Sequence, residues 1–193
     1  MRLVLNKSSK PFVKHTDILL ITGDGRSLHD DFLKMKGKDY DLACIGRSIK
    51  LYPNAIHWFN ADGETAIAWA KQIKSESLLT HTLGEVDGFD VDWDIEQPDY
   101  QYEAITGQKG RFHGSSALFA ALAGIEMGYD KVVLAGCPLD DEGHWYFDDT
   151  KGPLWLGHDF MAWVDFSKEP SAKKVRSLSG FTAKIIGDAN GWL

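Results

Sequence analysis

The apolar residues of this chain fall in short unbroken runs: Ile18-Leu19-Leu20-Ile21, Leu42-Ala43-Cys44-Ile45 and Val132-Val133-Leu134-Ala135. Unbroken apolarity over four or five residues fits strands covered on both faces, the habit of parallel sheets. On this pattern residues 17–22, 42–45, 55–59, 78–82, 132–136 and 174–178 read as strands, with 1–5 as an edge strand. Between them lie helical segments. Residues 29–35 form a short helix closed by Gly37, and 64–74 place Ala66, Ile67, Ala70 and Ile73 on one face. Residues 156–166 and 181–186 complete the helical set. The clearest unit runs from Gly114 to Asp140. Residues 115–127 carry no charge before Glu126, so they read as a helix buried on most of its surface, with Ser115 or Ser116 as N-cap and Gly128 at its end. A short turn then leads into the 132–136 strand, whose carboxyl end opens into the polar stretch CPLDDEGHWYFDD. Strands alternating with helices predict one α/β domain over residues 1–193, a Rossmann-like, mainly parallel sheet flanked by helices.

The pattern is lost over residues 84–110, which are acidic and aromatic with no clear period. That length exceeds an ordinary loop, so 84–110 and 138–157 are expected to form a small lid or loop insertions. The chain's 193 residues suit one well-buried domain. A net charge of −7 argues against a nucleic-acid or anionic-membrane surface, although a local arginine cluster could still hold a phosphate. Cys44 and Cys137, the two cysteines, fall in or at the end of strands and read as buried thiols of a reducing compartment. No stretch reads as a signal peptide or a membrane span, so a cytoplasmic location is expected. Seven tryptophans are many for this length. Those at 145, 155, 163 and 192 read as core residues or as an aromatic wall for a base or sugar ring.

In open α/β sheets, ligands sit outside the carboxyl ends of strands, and several of those ends carry small polar turns here. The first is Gly23-Asp24-Gly25-Arg26-Ser27-Leu28. Its glycines would let the chain curl amide groups toward an anion, or would simply supply a tight turn. Gly-Arg-Ser recurs at Gly46-Arg47-Ser48. If the two strands are neighbours, Arg26 and Arg47 could converge on a phosphate with Ser27 and Ser48 beside them; alternatively an arginine pairs with a carboxylate. Asn60 and Asp62 could orient a ribose, a sugar hydroxyl or a cation, or cap the following helix. Gly114, Ser115 and Ser116 offer a helix N-terminus, and Gly136 ends the fifth apolar strand. Of the seven histidines, His144 and His158 follow that strand end and are candidate general bases. No histidine or cysteine spacing typical of metals occurs. The acidic run Asp140, Asp141, Glu142, Asp148 and Asp149 reads as a solvated loop or a hard-cation site.

The strand followed by Gly23-Asp24-Gly25-Arg26-Ser27-Leu28 resembles the G-x-G-P-S-L turn of bacterial sialyltransferases with a single Rossmann-like domain. It is also similar to the motility-accessory-factor and 6-hydroxymethylpterin pyrophosphokinase-like proteins. Arg26 stands where the motif has proline. The run from Gly114-Ser115-Ser116 through Gly128-Tyr129 to Leu134-Ala135-Gly136 resembles a second block of the same group, with Cys137-Pro138-Leu139-Asp140 following the glycine. The resemblance implies that the first turn and the Asn/Asp-bearing strand ends hold a cytidine nucleotide. It also implies that a histidine before a late helix, here His158 in Gly157-His158-Asp159-Phe160, deprotonates an acceptor hydroxyl. The expected function is a metal-independent, nucleotide-sugar-dependent glycosyl transfer with the nucleotide sugar as substrate and no cofactor. The alternatives are a magnesium-dependent diphosphotransfer enzyme, with Asp62, Asp140 or Asp141 on the metal, and a noncatalytic nucleotide-binding module.

Overall fold

The computed structural model describes residues 2–61, 73, 77–95, 115–140 and 156–193, with side chains of the last range from 159 onward. Among the described residues, eight strands form one sheet: β1 (Leu3–Ser8), β2 (Ile18–Thr22), β3 (Asp41–Ile45), β4 (His57–Asn60), β5 (Leu79–Leu83), β6 (Val91–Ile95), β7 (Lys131–Ala135) and β8 (Val175–Ser177). Their order is β1-β6-β5-β4-β3-β2-β7-β8. Every pairing is parallel except β1 with β6. The described α-helices are α1 (Leu28–Lys34), α2 (Ser116–Glu126), α3 (Leu156–Phe166) and α4 (Gly180–Ile186).

Both faces of the middle of the sheet are covered, which is why β2, β3 and β7 read as unbroken apolar runs, while edge strand β1 is exposed beyond Leu3. Leu19, Ile21, Ala43, Phe59, Val132 and Leu134 join α2 and Trp163 of α3 in one core. Leu20, Cys44, Trp58, Val133 and Ala135 join Leu28 and Met35, at the two ends of α1, in the other. Eight consecutive residues of α2, Ala117 to Gly124, are buried. Burying a side chain such as Leu118 or Phe119 stabilises the fold by about 1.5–3 kcal/mol. Of the four late tryptophans, Trp163 is a core residue and Trp192 lies under the Lys131 and Arg176 cations. Trp145 and Trp155 lie outside the described residues.

Two sequence expectations change. Residues 91–95, expected within a lid, are strand β6. Val91 and Trp93 point into the core, while Asp90 receives bonds from the Thr80 amide and hydroxyl and pairs with Lys10 at 2.9 Å. The remainder of that expected lid, 96–110, and residues 141–155 of the second lie outside the described residues, as does most of the expected 64–74 helix. The Gly46-Arg47-Ser48 turn is the start of a 3-10 helix, Gly46–Lys50.

Across the first core, a buried polar chain links four neighbouring strands. The Trp93 indole donates to His81 Nδ1 (3.2 Å), His81 Nε2 meets His57 Nδ1 (3.0 Å), His57 Nε2 meets the Tyr129 hydroxyl (3.3 Å), and that hydroxyl donates to Asp41 Oδ2 (2.8 Å). Indole can only donate, so His81 accepts at Nδ1 and carries its hydrogen on Nε2. The same logic then places the His57 hydrogen on Nε2 and directs every bond toward Asp41. All five side chains are buried. Burial lowers the His57 pKa to about 4, and burial together with its neighbour His57 lowers that of His81. His57 and Asp41 begin their strands, so this chain ties the sheet together away from the carboxyl ends.

Candidate functional site

The chain passes from β2 outward through β3, β4, β5 and β6, then returns to place β7 on the other side of β2. Strand order therefore reverses between β2 and β7, and a crevice is expected outside their carboxyl ends. The two Gly-rich exits meet there. The Gly23 amide donates to the Ala135 carbonyl (2.8 Å) and the Gly25 amide to the Gly136 carbonyl (2.9 Å). These two amides are thus spent on the β7 exit. Neither glycine has a positive φ. Their requirement is closeness: a Cβ on Gly23 would overlap the Gly136 carbonyl oxygen, and one on Gly25 would lie 2.5 Å from Pro138 Cδ. Gly136 does need its freedom, with φ of 65° and Leu28 Cβ 2.8 Å from where its own Cβ would stand.

Behind this contact lies Asp31, fully buried in α1. Its Oδ2 accepts from the Gly136 amide (3.0 Å) and lies within reach of the Ser27 (2.9 Å) and Ser179 (2.6 Å) hydroxyls, which are 2.7 Å from each other. Lys34 reaches Oδ1 at 3.1 Å and also donates to the Leu178 carbonyl at 2.7 Å. Neither Asp31 nor Ser179 carries a sequence signal, because their meeting depends on β8 lying beside β7.

The two Gly-Arg-Ser turns follow adjacent strands, β2 and β3, which meets the condition set for Arg26 and Arg47 to lie on one edge. Arg47 Nε sits 3.4 Å from Asp24 Oδ2, so this arginine takes the carboxylate pairing, while Arg26 is exposed. Ser48 is buried. Its hydroxyl faces the Thr22 (2.7 Å) and Ile45 (2.8 Å) carbonyls and accepts from the Ile45 amide, closing the turn from beneath. Cys44 beside it is buried, which pushes its thiol up to about 11; burial and the Asp24 and Asp31 carboxylates push the Cys137 thiol up as well. Neither thiol has the depressed pKa of a nucleophile.

Farther along the same edge, buried Asn60 ends β4, and the amide of Ala61 donates to Ser116 Oγ at 3.3 Å. The N-terminus of α2 is thereby brought to the end of β4. Ser115 occupies the N-cap position with an extended backbone, but its hydroxyl makes no capping bond. That hydroxyl oxygen is shielded from solvent and has no partner among the described residues. His158 is the third residue of α3, the helix that the sequence pattern expected over residues 156–166, whereas the resemblance implied a histidine just before such a helix. Asp62, Gly114 and His144 lie outside the described residues. Among the described residues there is no group of three or more histidine, cysteine, aspartate or glutamate side chains arranged to hold a metal, and no helix long and apolar enough to cross a membrane.

No family model and no curated protein matches the chain. Solved structures do. The sialyltransferase CstII from Campylobacter jejuni, in complex with a substrate analogue, cytidine-5'-monophosphate, aligns over 92% of this chain and 86% of its own with a TM-score of 0.58 at 16% identity. CstII in complex with a trisaccharide acceptor and CMP aligns over 89% and 86% with a TM-score of 0.54 at 15% identity. The monofunctional alpha-2,3-sialyltransferase Cst-I from the same organism aligns over 93% and 83%, with a TM-score of 0.55 at 14% identity. The chain has the α/β fold of these transferases, with most of its length and most of theirs in common. The sialyltransferase side of the sequence resemblance is thus met at the level of fold.

Proposed function

We propose that this protein is a sialyltransferase-like glycosyltransferase that takes a cytidine nucleotide sugar as donor and uses His158 as base. The observation carrying this reading is that the β2–β7 switch point, the Asn60–Ala61 turn and the α2 N-terminus lie along one carboxyl edge of the sheet. Structures of the same fold bind CMP.

The α2 N-terminus presents amide groups and partial positive charge to a nucleotide phosphate, and the unpartnered Ser115 hydroxyl has a donor to offer it. Asn60 and Asp62 orient the nucleoside, together with the turn of Gly23, Asp24, Gly25, Arg26 and Ser27. Asp24 beside phosphate would be repulsive, so its carboxylate, already partnered by Arg47, suits ribose hydroxyls, which donate. The Arg26 side chain provides charge for the phosphate, and Gly114 and Gly136 let the backbone come close. Ser48 contributes by fastening the Arg47 turn. His158, or His144, takes the proton of an acceptor hydroxyl as its oxygen attacks the anomeric carbon and the bond to the nucleotide phosphate breaks. The transition state is oxocarbenium-like, so neutralising the leaving phosphate matters most, and these donors do so without a metal.

The test is transfer from a cytidine nucleotide sugar, with EDTA present, to a panel of saccharide acceptors. His158→Ala is expected to lose about 10²–10⁴-fold in turnover while still binding CMP. Full turnover by that variant would remove the base role. Turnover only with magnesium, and on a pterin or other diphosphate acceptor, would favour diphosphotransfer instead.

A further inference from the structure

We infer that Asp31 is the positioning residue of the nucleotide crevice, holding three strand exits at their working separation through a single buried carboxylate; this rests on the transferase reading above. The exits are the β2–α1 turn at Ser27, the β7 exit at Gly136 and the β8–α4 turn at Ser179, and all three reach Asp31 Oδ2.

Proton counting gives the arrangement a direction. Ser27, Ser179 and Asp31 make three mutual contacts, of 2.7, 2.6 and 2.9 Å, yet the two hydroxyls own two hydrogens. Ser179, at the shortest contact, donates to Asp31, and Ser27 gives its hydrogen to Asp31 or to Ser179. Either way both serine turns are tied to the carboxylate, while the Gly136 amide fills a further lone pair. A buried carboxylate needs such donors, and Lys34 supplies charge from the solvent side at 3.1 Å.

The exits have little other slack. Pro138 is wedged between Gly25 and Gly180: Cβ atoms on either would run into it, and its carbonyl accepts from the Phe181 amide at 2.8 Å. Removing the carboxylate would release the Gly136 amide and the two serine turns together. The Gly23 and Gly25 amides, which hang on the Ala135 and Gly136 carbonyls, would follow. Asp31 itself is fully buried, so its effect on a ligand passes through these turns and not through contact.

The experiment is calorimetric titration of CMP into the wild type, Asp31→Ala, Ser179→Ala and Ser179→Thr, well below every midpoint of unfolding. Tyr129→Phe, which cuts a buried bond at the far end of the sheet, controls for lost stability. A displaced turn is expected to weaken CMP binding about tenfold or more in Asp31→Ala and Ser179→Ala. Ser179→Thr, which keeps the hydroxyl, restores affinity, and Tyr129→Phe binds as the wild type does. Equal affinities throughout, whatever the midpoints, overturn the positioning role and leave the transferase reading standing. Equal weakening in Tyr129→Phe also overturns it, since loss of stability alone would then suffice. If Asp31→Ala does not fold, the two Ser179 variants decide. A wild type that binds no CMP defeats the transferase reading itself, and this inference with it.

Discussion

His57 and His81 are buried, and each has both ring nitrogens engaged by neighbours; for His57 the cost of burying a charge outweighs the help of Asp41 and the Val13 backbone. An unfolded histidine takes a proton near pH 6.5, whereas folded His57 resists it until about 4. Between those values the unfolded state binds more protons than the native state. Stability is therefore complete above pH 6.5 and falls as the pH drops toward 4. Urea midpoints measured across this window should decline, and His57→Gln, which does not titrate, should flatten the decline. An unchanged slope in that variant would place the titration elsewhere. Gly25→Ala tests closeness in the same way. Its methyl would sit 2.5 Å from Pro138 Cδ and 2.8 Å from the Gly136 oxygen, so a loss of about 1–3 kcal/mol is expected in urea unfolding. A variant as stable as the wild type would mean that the exits are less tightly apposed than drawn.

Among the elements, those buried on both sides were legible in the sequence and those at the margin were not. β2, β3 and β7 announce themselves as unbroken apolar runs, and α2 as a nearly charge-free helix, because each has protein on every side. β6 lies next to the edge, and Asp92 and Asp94 within it, with Asp90 just before, mask the apolar positions of Val91 and Trp93. What makes it a strand is pairing with β1 and β5, which no local window contains. The site divides similarly. Strand-end glycines and the Ser115-Ser116 helix start are local signals and were read. The reason for Gly23 and Gly25, the polar chain through His57 and His81, and the Asp31 clamp all depend on which strands become neighbours. The meeting of β4 and α2 gives a test at this scale. Ser116→Ala leaves the Ala61 amide without its acceptor, at a cost of about 1 kcal/mol, and should weaken CMP binding measured by calorimetry. Unaltered CMP affinity would remove the α2 N-terminus from the nucleotide site.

At the scale of the molecule, one sheet separates two tasks. Its amino-terminal half is locked by buried polar bonds from Trp93 to Asp41, while its carboxyl edge carries glycine turns, the buried Asp31 carboxylate at the β2 and β7 exits and, beyond β4, a helix N-terminus. That division suits a fold in which rigid strands present changeable turns to a ligand. The fold is shared with the Campylobacter sialyltransferases at 14–16% identity, as expected where a core asks chiefly for apolar volume. The most direct measurement of the central claim is the shift in unfolding temperature on adding CMP in EDTA, set against other nucleotides with and without magnesium. Ligand that binds only the native state raises that temperature by mass action. The transferase account predicts a saturable rise with CMP that needs no metal and exceeds that of purine nucleotides. No rise with CMP, or a rise that appears only with magnesium and a purine nucleotide, would contradict it.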